Sequence, residues 1–84
     1  MKAAIDAMKS EPPFVKGLLV DFVLDQNDSN RLWLWVYSDQ VYSLPKEKQD
    51  FVIEYLHRLR KIGSEYGVDV HFQGQQGSPP KIKF

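Results

Sequence analysis

The segment RLWLWVY, residues 31–37, sets large apolar side chains at six consecutive positions, Leu32 to Tyr37. In an extended chain, neighbouring side chains point to opposite faces of the sheet, so a strand built from this segment is apolar on both sides and needs cover on both. Eighty-four residues without a cysteine leave little to provide that cover. A chain of this length makes one domain, with no disulfide framework, and it holds by packing or by association.

The neighbouring segments follow from periodicity. From Val15 to Leu24 the chain alternates, with Leu18, Val20, Phe22 and Leu24 on one face and Leu19, Asp21, Val23 and Asp25 around the other. The turn formers DQNDSN, residues 25–30, separate this run from the next and predict a hairpin loop. Setting Asp25 opposite Arg31 pairs opposite charges beside the loop and fixes the register: Leu24, Phe22 and Val20 face Leu32, Leu34 and Val36. On the second face Val23 meets Trp33, Asp21 meets Trp35, and Leu19 meets Tyr37.

Helical spacing of Ala4, Ile5 and Met8 predicts a short N-terminal helix stopped by Pro12 and Pro13. A long helix follows Pro45, with Val52, Leu56, Leu59 and Ile62 as its inner stripe and Gly67 as terminator. Residues 41–43, VYS, are read as a short third strand, and VDVHF, residues 68–72, as a final one. The expected order is α-β-β-(β)-α-β: an α+β two-layer sandwich with a mainly antiparallel sheet of three to four strands, the last strand beside the first, and both helices on one face. Residues 1–72 form the domain, and residues 73–84 read as an extended tail.

Counting layers then exposes a problem. A helix is about 10–12 Å across and three or four strands span roughly 10–15 Å, so the helices roof one face only. The face with Trp33, Trp35 and Tyr37, bordered by Leu19, Asp21 and Val23, is left for another occupant. Three candidates present themselves: the tail, docking Ile82 and Phe84 on the tryptophans; a second copy of the chain; or another protein. An apolar row this long exceeds what a typical monomer leaves open.

Alternating aromatics on a strand also suit stacking of single-stranded nucleic acid on Trp33, Trp35 and Tyr37. Yet the formal net charge is zero, and residues 1–44 carry four Lys or Arg against six Asp or Glu. Asp21, Asp39 and Asp69 are expected near the rings, while Arg58, Arg60 and Lys61 sit on the long helix. Carboxylates repel phosphates and favour a protein segment bearing Arg or Lys. A protein partner, or self-assembly into a homo-oligomer, therefore ranks above nucleic acid.

Other chemistry is thinly represented. Asp69 and His71 share a strand face, as a carboxylate orienting an imidazole would, and give a small-enzyme alternative with no nucleophile motif beside it. His57 falls on the outer side of the long helix. DQNDSN begins like a calcium loop but carries Asn30 where the sharp turn needs glycine and Val36 where the bidentate glutamate belongs. No metal or cofactor is expected. With no apolar run near 18 residues and no signal-like start, the chain is expected to be cytoplasmic and not membrane-embedded. The expectation is a non-enzymatic interaction domain.

Overall fold

The segment most apolar on both faces becomes the central strand. A computed structural model describes residues 1–15 and 17–77. It contains α1 (Lys2–Ser10), β1 (Val20–Leu24), β2 (Arg31–Tyr37), α2 (Ser38–Tyr42), α3 (Lys46–Glu65) and β3 (Asp69–Gln75). The sheet has three strands in the order β1-β2-β3. β1 pairs with β2 antiparallel in the expected register, Val20 opposite Val36 through Leu24 opposite Leu32.

Two expectations about the sheet are corrected. β3 lies beside β2, not β1, and runs parallel to it, with Arg31 opposite Asp69 and Tyr37 opposite Gln75. The sheet is therefore mixed. The cause is the length of α3: its 20 residues carry the chain about 30 Å back to the start of β2, where the Asp69 N–H donates to Asn30 O at 2.9 Å. A strand entering there runs parallel to β2, as crossover connections require. β1, interrupted by Asp21 and bounded by Asp25, takes an edge, while β2 is apolar on both faces as a central strand should be.

The second correction concerns residues 41–43. They are not a strand: Ser38–Tyr42 forms α2. Val41 and Leu44, three residues apart, both pack against the core, a spacing a helical turn satisfies and an extended chain does not. β3 also continues past Phe72 through Gln75, drawing Gln73, Gly74 and Gln75 into the sheet. Residues 78–84, including Ile82 and Phe84, lie outside the described residues.

The core occupies one side of the sheet. Met8, Leu32, Leu34, Val52 and Leu59 are almost completely buried, with Ala4, Tyr55, Ile62 and Val70 around them. Every sheet residue in or packed against this cluster is even-numbered: Val20, Phe22, Leu32, Leu34, Val70 and Phe72. Both α1 and α3 thus cover the same face. Gly63 lies within α3, and a Cβ added there would collide with Val70 Cγ2. The missing side chain lets α3 lie close against β3, which offsets the helix-propensity cost of glycine.

Two arginines of α3 tie it to its neighbours. Arg58 pairs with Glu11 at 3.2 Å, linking α3 to the end of α1. Arg60 donates from Nε to Val70 O at 3.2 Å and lies 5.0 Å from the Phe72 ring centroid. It thereby covers part of the β3 edge.

Candidate functional site

The odd-numbered face of the sheet carries no helix among the described elements. The register sets Asp21 and Val23 of β1 beside Trp35 and Trp33 of β2, and His71, Gln73 and Gln75 of β3 beside Trp33, Trp35 and Tyr37. Five of the six expected site residues, Trp33, Trp35, Tyr37, Asp21 and Val23, share this face. Leu19 stands one residue outside the ladder. The ladder begins at Val20, and the Leu19 N–H donates to Gln40 Oε1 of α2 at 2.9 Å, leaving its side chain 58% exposed.

Two of the three rings, Trp33 and Tyr37, are held by their polar ends. Trp33 Nε1–H donates to Asp25 Oδ2 at 2.8 Å, and Tyr37 O–H donates to Asp21 Oδ2 at 2.5 Å. The Trp33 ring lies 5.2 Å from the His71 imidazole at a tilt of 42°. Tyr37 is buried, whereas Trp33 and Trp35 remain half-buried. Anchoring of this kind reduces the rotamer freedom that a binding partner would otherwise have to freeze.

Around the row runs a charged rim centred on Arg31. Its guanidinium lies 3.8 Å from Asp25, 3.8 Å from Asp28 and 3.5 Å from Asp69. The Nε contact to Asp69 is an ion pair without hydrogen-bond geometry. His71 Nε2 sits 2.8 Å from Asp69 Oδ2. An ionised carboxylate only accepts, so Nε2 carries the proton in that bond and Nδ1 is the free nitrogen of the neutral ring. Asp25, Asp28 and Asp69 thus share a single guanidinium, Asp21 adds a fourth carboxylate on the same face beside Trp35, and the rim is acidic.

The bonds that anchor the rings also set the protonation of the rim. The Trp33 indole, then the Asn27 and Asp28 amides and Arg31, hold the Asp25 carboxyl below its usual range. The His71 hydrogen bond, backed by Arg31, does the same for Asp69. The Asp21 carboxylate, helped by desolvation, pushes the Tyr37 phenol up. At neutral pH the Asp25 and Asp69 carboxyls are charged and the Tyr37 phenol is not.

The hairpin loop owes its shape to the same aspartates. Asp25 Oδ1 accepts the Asn27 and Asp28 amides at 2.7 and 3.0 Å, and Asp28 Oδ1 accepts the Asn30 amide at 2.9 Å. These are side-chain turns, and they use the oxygens that a calcium loop would point at the ion. Among the described residues no group of three His, Cys, Asp or Glu is placed to hold a metal. Asp39, expected on the aromatic face, lies in the first turn of α2.

One concavity adjoins the row, and another opens toward the even-numbered face. A cleft of about 450 Å³ wraps over the β1 edge between Trp35, Asp21 and Val23 on one side and Phe22 and Lys9 on the other. A groove of about 620 Å³ opens at the C-terminal ends of β2 and β3, lined by Val36, Gly74, Val41 and Tyr42 among others. Neither is lined by Asp69 or His71, which sit on the open sheet. No helix of the described residues is long and apolar enough to cross a membrane.

Sequence reasoning recovered the aromatic row but missed the Arg31 network. The signal lay in the hairpin, since pairing Asp25 with Arg31 already set both at the end of the open face. Asp69 joined them only once β3 was seen to run parallel beside β2. Comparison with known proteins yields no matching family model, no matching curated protein and no matching solved structure.

Proposed function

We propose that the chain is a non-enzymatic interaction domain whose open sheet face takes up an extended, cation-bearing segment of protein against Trp33 and Trp35. The observation that carries this reading is the pairing of half-buried indoles with an acidic rim on one face. Ring faces attract ammonium and guanidinium groups by about 0.5–2 kcal/mol per contact, and Asp21, Asp25 and Asp69 add charge of the right sign. Trp35, beside the cleft, is the principal contact, with Trp33, Tyr37, Asp21 and Val23 around it. The segment belongs to another protein or to a second copy of the chain, and the setting proposed is cytoplasmic.

The same charges weigh against single-stranded nucleic acid. Arg31, at the head of the row, is engaged by three carboxylates, and the remaining cluster, Arg58, Arg60 and Lys61, lies on α3, the layer that covers the opposite face. Phosphate binding rests on cations near the stacking rings. The Asp69–His71 pair supports an enzyme less well than an interface, because it is spread on an open sheet and Asp69 is shared with Arg31.

The test uses two synthetic heptapeptides, one alternating lysine with leucine and one alternating glutamate with leucine, titrated into the full chain with tryptophan emission as readout. The lysine peptide should bind, weaken as salt rises, and lose about tenfold in affinity to Trp35→Ala, the equivalent of one good cation-π contact with its buried area. Equal binding of both peptides, or binding indifferent to Trp35→Ala, would refute the reading.

A further inference from the structure

We infer that residues 78–84 of this chain, SPPKIKF, are themselves an occupant of the open face and compete there with any partner. The inference rests on the proposed function, since it supplies that same face with a specific segment. Three observations carry it: where the described chain ends, how far the remaining residues reach, and what charge they bear.

Beyond β3 the backbone does not run off the sheet. The Gly77 N–H donates to Ser38 Oγ at 3.1 Å, and Gly77 O accepts the Asp39 N–H at 3.1 Å. Gly77 takes φ of +85°, a turn conformation that glycine adopts without strain. These bonds carry the chain from the β3 edge across to the residues that follow Tyr37, the inner end of the aromatic row. Gly77 is therefore held beside the end of the central strand, and the segment that follows is tethered there.

The reach fits the row. From Tyr37 to Trp33 is four residues of strand, roughly 13 Å. Five residues beyond Gly77 bring Ile82 out to at most about 17 Å, and seven bring Phe84 to about 24 Å. Laid back along β2, the segment passes Tyr37 with its prolines, meets Trp35 and Trp33 with Ile82, and ends near His71 with Phe84. Pro79 and Pro80 favour an extended approach and have no N–H to leave unpaired on a sheet face.

Charge selects this segment over others in the chain. Lys81 and Lys83 alternate with Ile82 and Phe84, so apolar side chains turn toward the rings while the lysine stems reach sideways. Asp21 lies on one flank of the row and Asp69 on the other. Attachment at Gly77 holds the segment at an effective concentration in the millimolar range, enough for weak contacts to keep it seated.

The experiment compares the full chain with Ile82→Asp/Phe84→Asp, two changes outside the described fold, with far-UV circular dichroism as the check on folding. Acrylamide quenching of the indoles and their two ¹⁵N–¹H indole signals are followed over a hundredfold range of concentration, together with affinity for the lysine–leucine heptapeptide. We expect quenching to rise about twofold, both indole signals to move, and the peptide to bind about tenfold more tightly to the variant at every concentration, as loss of a tethered competitor requires. Indoles unmoved by the substitution overturn the inference. A shift in the native chain that appears only as concentration rises also overturns it, because the segment is then seated on a second copy. A native chain that binds the peptide with an affinity the variant does not change leaves the proposed function standing without the internal competitor. Absence of peptide binding to either protein refutes the proposed function, while the indole signals still report on the segment.

Discussion

The two faces of this sheet solve the same problem by different means. On the even-numbered face, Leu32, Leu34 and Val70 meet Met8, Val52 and Leu59, and no carboxylate belongs to the cluster. On the odd-numbered face, Trp33 and Tyr37 are pinned by hydrogen bonds to aspartates, and an ion-pair network borders the row. The first arrangement is tolerant of what surrounds it and intolerant of lost volume. The second keeps its geometry with one side open, which is what a binding surface needs and a core does not. Substitutions should therefore separate the faces, heavy losses on one and changes in recognition on the other.

The largest effect is expected from Leu34→Ala. Leu34 is 0% exposed on the covered face, and truncation of such a residue costs about 2–5 kcal/mol through lost transfer energy and the cavity left behind. For a domain this small that is a large part of the whole stability. Urea unfolding of Leu34→Ala and Trp35→Ala side by side tests the contrast. Trp35→Ala should shift the midpoint far less, and an equal shift would mean that the aromatic row is core after all.

A second, smaller effect separates two glycines. Gly63 faces Val70, and a methyl group there forces α3 away from β3. Overpacking costs about 1–3 kcal/mol, against a helix-propensity gain of up to about 1 kcal/mol, so Gly63→Ala should be destabilising by about 1 kcal/mol or somewhat more. Gly74 in β3 has nothing within 4 Å of an added Cβ, and Gly74→Ala should be neutral or slightly stabilising. Thermal melts of the two variants decide the matter. A Gly63→Ala protein at least as stable as the native one would show that α3 has room to shift.

Much of this contrast was legible before the structure. Alternation from Val20 to Leu24 and the Asp25–Arg31 pairing fixed which residues of the hairpin share a face, because register in an antiparallel pair follows from side chains near the turn. The count of helices fixed that one face is covered. What alternation does not encode is the neighbour of β3, since Val68, Val70 and Phe72 fit either edge of the hairpin equally. The choice came from the length of α3 and from β2 being the strand with apolar side chains on both faces. Residues 41–43 misled for a related reason: Val41 and Tyr42 have high strand propensity, and the spacing of Val41 to Leu44 against the core overrode it. The acidic rim was half visible, as separate aspartates whose convergence on Arg31 depends on the parallel pairing.

The smallest effect, and the one confined most cleanly to the open face, is on pH. Asp25 and Asp69 have carboxyls held below their usual range in the fold, so the unfolded chain binds protons more readily than the folded one in acid. Their stabilisation is complete above the unfolded carboxylate value of about 3.9 and is lost as pH falls through the lower folded values. Stability should then be level from pH 7 to about pH 5 and decline below about pH 4. Asp25→Asn removes one of the two groups, so the variant should be less stable at neutral pH and lose less on acidification. Because Asp25 Oδ2 accepts the Trp33 indole N–H, tryptophan emission of the native protein should change over the same range, before the covered face opens. Urea midpoints at pH 6 and pH 3 for both proteins measure the slope, and an acid slope unchanged by Asp25→Asn would move the origin of the acid sensitivity away from this face.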